Sequence, residues 1–83
     1  MLHWLRGDYV EYYERIRALR EDADKTQSEI AAFLGIRQNY YSEQERGRKP
    51  FQIKQIKALC EYYHVSADYI LGLSKGLPWP KWS

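Results

Sequence analysis

A chain of 83 residues makes one domain and buries only a modest core, so its helices need firm stops. With 45% apolar residues, 29% charged residues and a net charge of +2, the composition is that of an ordinary soluble protein. The single cysteine, Cys60, excludes an intrachain disulfide framework or cysteine-based zinc set and fits a reducing, cytoplasmic setting, while no apolar run is long enough to span a membrane.

The opening MLHWLRGD has too short an apolar stretch for a secretory signal. The charges are unevenly placed. Residues 46–57 hold Arg46, Arg48, Lys49, Lys54 and Lys57 and no acid, whereas residues 21–29 hold four acids and one lysine. Such a basic run is either a solvated helix end or a patch for an anionic partner.

Taken in chain order, Asp8 is placed to cap a first helix, with Glu11 three residues on as its reciprocal partner. Tyr9, Tyr12, Tyr13, Ile16, Leu19 and Ala23 then form one amphipathic stripe, predicting a helix over 9–22. Thr26 and Glu29 form a second capping box. Ile30, Ala31, Phe33 and Leu34 follow as a buried face, and Gly35 stops a two-turn helix over 27–34. Beyond Pro50, the residues Ile53, Ile56, Leu59, Cys60 and Tyr63 recur at helical spacing and predict a helix over 52–63. Ser66 caps a last short helix over 67–72, with Asp68 in its first turn, where the helix dipole favours negative charge. The expected organisation is an N-terminal extension over 1–8, one domain over 9–73 and a Trp- and Pro-containing tail over 74–83.

Between the second and fourth helices lies the polar run GIRQNYYSEQERG at 35–47. On a helix over 38–46, Gln38, Asn39, Ser42, Glu43 and Arg46 share one face. Tyr41, Gln44 and Glu45 share the other, with Arg37 and Tyr40 at the flanks. A polar helical face commonly meets only water. Here the side chains are also those that read base edges: Gln and Asn pair bidentately with adenine, Glu accepts from cytosine N4, and Arg forks onto guanine. Two short helices joined by a Gly-containing turn make a helix-turn-helix. Ala31 is small enough to let the two backbones approach. The basic run follows directly, as phosphate contacts require.

The stretch from Arg15 to Gly72 resembles the phage Cro/cI-type (XRE-family) helix-turn-helix domain. The resemblance rests on Leu19-Arg20, SEIAAFLGI at 28–36, ERG at 45–47 and HVSADYILG at 64–72. It implies an all-α, compact, five-helix lambda-repressor-like fold. It also implies base-reading roles for Gln38, Asn39 and Glu43, with Arg37 and Ser42 beside them. Phosphate contacts are implied for Gln27, whose helix N-terminus presents free N–H groups, and for Tyr40, Arg46, Arg48 and Lys49. Arg20 and Glu45 match a partly buried ion pair. Four positions depart from the pattern. Lys25 replaces an apolar residue and predicts a wetter corner. Arg37 replaces a capping Ser or Thr, losing about 1 kcal/mol. Tyr41 and Gln44 replace aliphatic residues, and Gln44 is expected at the rim of the core.

The expected function is sequence-specific binding of double-stranded DNA by a transcriptional regulator of repressor type, acting as a homodimer. The alternative is an antitoxin- or anti-repressor-like protein-interaction module on the same fold. With no Cys/His pair, phosphate-binding glycine loop or clustered catalytic carboxylates, no enzyme is expected, nor any metal, cofactor or small-molecule ligand. Trp4, Trp79 and Trp82 at the two ends are read as cover for the domain or as a dimer interface. His3 and His64 are read as surface or boundary residues, and Cys60 as part of the core.

Overall fold

The computed structural model describes residues 10–73. Five helices succeed one another: α1 (Tyr12–Asp22), α2 (Gln27–Leu34), α3 (Gln38–Glu45), α4 (Ile53–Tyr63) and α5 (Ala67–Leu71). No strand occurs among the described residues. Asp8, Tyr9, the terminal tryptophans and His3 lie outside them.

α1 begins later than the apolar stripe predicts. Its cap is Glu11, whose N–H donates to Glu14 Oε1 at 3.1 Å. Both Asp8/Glu11 and Glu11/Glu14 have capping-box spacing, and the helix uses the second. Ala23, predicted as the last stripe residue, is instead the exposed C-cap. The chain leaves α1 through Asp24 in a left-handed conformation. The capping box of α2 forms as its residues dictate. Thr26 Oγ1 accepts from the Glu29 N–H at 3.1 Å, and the Thr26 N–H donates to Glu29 Oε1 at 2.8 Å. Gly35, at φ +73°, ends the helix and opens the turn. α5 is capped by Ser66 Oγ, which accepts from the Tyr69 N–H.

The core consists of Ile16, Ile30, Ala31, Tyr41, Phe51, Leu59 and Ile70. Leu19, Ile36, Ile56, Cys60, Tyr63 and Val65 pack around it half-buried. Phe51 centres an aromatic cluster, its ring edge-on to Tyr12 at 6.1 Å and to Tyr41 at 6.0 Å, an arrangement that suits the ring quadrupoles.

Three positions differ from the expected burial. Phe33 is about half exposed and lies against Tyr62 at 4.6 Å, because in a two-turn helix only Ile30 and Ala31 fall squarely inward. Ile53 is exposed at the first position of α4, and Gln55 takes an inward place instead. Gln44, expected at the rim, has no exposed surface. Gly47 sits at φ +79°, with space for a Cβ closed by Tyr13, whose Cζ would lie 2.5 Å from it.

Candidate nucleic-acid interface

α3 divides cleanly into two faces. Tyr41, Gln44 and Glu45 are buried. Gln38 and Asn39 are exposed, and Ser42 and Glu43 half-exposed. The inner face anchors the helix so that the outer one is held at a fixed angle to the domain.

The anchor at the far end is an ion pair. Arg20 Nε donates to Glu45 Oε2 at 2.7 Å and Arg20 Nη2 to Glu45 Oε1 at 3.1 Å. Arg20 Nη1 also donates to the Lys25 carbonyl at 2.9 Å. The side chains are 12% and 2% exposed. The α1–α2 corner, predicted to be wetter because of Lys25, is thus tied down through the Lys25 backbone. Burial pushes the Glu45 carboxyl up, but hydrogen bonds led by Arg20 outweigh it and hold the group below its ordinary value. The same bond to Glu45 raises Arg20. The Tyr41 hydroxyl lies close enough to influence Glu45, but its geometry falls outside that of a hydrogen bond and it is buried without a partner among the described residues. Burial raises Tyr41 strongly and Tyr63 to about 12; both remain neutral phenols.

Gln27 is drawn into this cluster. Its Nε2 donates to Glu45 Oε1 at 3.0 Å, a role the sequence did not indicate. Its backbone N–H, the first of α2, has no acceptor within the helix.

At the other end of α3, Arg37 is the N-cap at φ −75°, ψ 148°, and its side chain caps nothing. Arg37 is exposed, and the first-turn amides of α3 have no side-chain cap. Next to it opens a cleft of ≈ 730 Å³, bordered by Arg37 and Tyr40 on one side and by Gln52 and Lys54 on the other. Lys54, within the basic run, reaches the cleft only through its placement in the first turn of α4, which the sequence does not reveal.

The loop after α3 completes the surface. Arg46, Arg48 and Lys49 are all exposed. Glu43 lies 3.7 Å from both Arg46 Nη1 and Arg48 Nη1, and its carbonyl accepts the Arg48 N–H at 2.9 Å. Lys49 Nζ sits over the Tyr40 ring at 5.6 Å. Arg37, Gln38, Asn39, Tyr40, Ser42, Glu43, Arg46, Arg48 and Lys49 therefore lie on α3 and the loop directly continuous with it. Gln27 alone turns its side chain inward. No group of three or more His, Cys, Asp or Glu able to hold a metal occurs among the described residues, and none of their helices is long and apolar enough to cross a membrane.

A short helix held against a second across a glycine turn, with a cationic loop at its end, defines a helix-turn-helix domain. The family model described as "Helix-turn-helix" matches residues 16–70, and the chain belongs to that family. It is similar to an uncharacterized HTH-type transcriptional regulator, YobD, of Bacillus subtilis (strain 168): 36% identical over 63 residues, which is 76% of this chain and 56% of the relative. It is also similar to the antitoxin PezA of Streptococcus pneumoniae serotype 4: 34% identical over 64 residues, 77% of this chain and 40% of the relative. The chain thus spans about half the length, or less, of these relatives. No solved structure matched it.

Proposed function

We propose that the chain is a sequence-specific, double-stranded DNA-binding module of a cytoplasmic transcriptional regulator, repressor-type and homodimeric. α3 enters the major groove. Gln38, Asn39 and Glu43 read base edges, flanked by Arg37 and Ser42. Tyr40, Arg46, Arg48, Lys49 and the N-terminal amides of α2 at Gln27 hold phosphates. A single domain of this size reads few base pairs. Two copies on half-sites roughly 34 Å apart gain both affinity and specificity.

The observation that carries this reading is the division of α3: a buried polar and aromatic face, and an exposed face of base-reading side chains running without interruption into three exposed cations. In-vitro selection of bound duplexes tests it. A palindromic consensus with half-sites one helical turn apart is expected; no enrichment over the starting pool would remove it.

The similarity to the antitoxin PezA favours a second reading, a protein-interaction module on the same fold. Fluorescence titration with duplex DNA at low salt separates the two, since absence of binding under that condition leaves only the second.

A further inference from the structure

Gln44 is a primary amide with no exposed surface. Burying an amide is unfavourable unless its groups are hydrogen-bonded, so its partners indicate its purpose. Its Nε2 donates to the Pro50 carbonyl at 2.9 Å and to Gln55 Oε1 at 2.8 Å. The same Gln55 oxygen accepts the Gln52 N–H at 2.8 Å. An NH₂ group is required here, because the flipped amide would set its oxygen against two other oxygens. Among the described residues Gln44 Oε1 is buried with no partner, so the side chain acts through its donors.

What the donors hold is the cationic loop. Its near end is tied to the last carbonyls of α3, with Gly47 N–H on Gln44 O at 3.1 Å and Arg48 N–H on Glu43 O at 2.9 Å. At the far end Pro50 is held by Gln44, Gln52 by Gln55, and the Phe51 N–H by the Tyr12 hydroxyl at 3.1 Å. Arg48 and Lys49 are themselves tied through their backbone N–H groups to the Glu43 carbonyl, at 2.9 and 3.4 Å, and the far ties fix the chain that follows them.

The geometry points to Gln44 and Gln55 as positioning residues for DNA binding: a buried amide pair that sets where Arg48 and Lys49 stand relative to the outer face of α3. This inference rests on the DNA-binding reading. With the link in place, phosphate and base contacts form in one register. Without it α3 stays folded, but the chain is fixed on only one side of the two cations, and they no longer hold one register.

The double variant Gln44→Leu/Gln55→Leu tests this, since it removes both amides together and releases Pro50 and Gln52 at once. On short random-sequence duplexes, the slope of log affinity against log salt falls by about 2, roughly 0.9 for each phosphate that Arg48 and Lys49 cease to neutralise. Preference among base pairs at the positions facing Gln38 and Asn39 is kept. A folded double variant with an unchanged salt slope overturns the inference. Hydrogen exchange in the free protein supplies a second readout. The Arg48, Phe51 and Gln52 amides exchange about tenfold faster in the variant, while those of α2 do not; equal exchange throughout also overturns it. If the parent protein binds no duplex, the DNA-binding reading falls, and exchange still decides whether the amide pair holds the loop. Should the double variant not fold, Gln55→Ala carries the same two measurements.

Discussion

Arg20 on α1 and Glu45 at the end of α3 meet through two N–H···O contacts, 2.7 and 3.1 Å long, although 25 positions separate them in the chain. The pair ties the last turn of α3 to α1. Removing one partner of a buried pair leaves the other charge uncompensated, at a loss of about 3 kcal/mol. Arg20→Ala is therefore expected to lower the melting temperature by more than about 10 °C. An unchanged thermal melt would refute the structural role assigned to the pair.

The same carboxylate sets the acid limb of stability. Burial opposes its charge, and the bonds from Arg20 and Gln27 prevail, so the folded state holds Glu45 below its ordinary value. Glu29 is lowered too, first by the Thr26 backbone N–H. A depressed folded-state value means that the unfolded chain takes up protons first as pH falls. Stability is then full above the ordinary carboxylate range and is lost on acidification below about pH 5. Glu45→Gln is expected to melt lower at neutral pH but to show a flatter acid limb. A melt-versus-pH curve as steep as that of the parent protein would assign the limb to other groups.

Gln38 and Asn39 are exposed, and their side chains make no hydrogen bond among the described residues, so replacing either by Ala is expected to change stability by less than about 0.5 kcal/mol. Each replacement should instead erase about 1–3 kcal/mol of discrimination at one base pair. Competition between the selected duplex and single-base variants measures this. Equal weakening on every duplex would show that the residue contributes to affinity without reading sequence.

Arg37 offers a trade between the helix and its ligand. Arg37→Ser introduces a side chain able to accept from the amides of α3, adding about 1 kcal/mol of stability. It also removes one cation beside the cleft, and the salt slope of DNA binding should fall by about 1. A variant that is stabilised and binds DNA as tightly as before would make Arg37 a plain helix end.

Much of this site is legible from sequence because local chemistry decides it. The Thr26/Glu29 box, Gly35 and the outward set on α3 are each settled by residues within one or two turns of each other. Gln44 was not legible, since a glutamine in the core depends on an acceptor eleven positions away that no periodicity reveals. Phe51 falls in a loop, outside any helical stripe, yet it is buried between Tyr12 and Tyr41. Phe33 and Ile53 mark the opposite case. In helices of two or three turns an apolar stripe can rotate by one position with little change in pattern, so packing decides which residue turns inward.

Glu43 carries a consequence for selectivity. Its carboxylate stands 3.7 Å from both Arg46 and Arg48 in the free domain, acting as a resident counterion. On the reading proposed above, a phosphate approaching either arginine competes with an attached acid as well as with dissolved salt. The acid itself is carried into the groove, where the cytosine amine is its natural donor among the base edges. A random sequence asks Glu43 to give up two partners without replacement, whereas a site with a suitably placed cytosine supplies a new one. One side chain thus weakens adhesion to DNA in general and restores it at chosen positions, so that discrimination begins in the charge balance of the unbound protein.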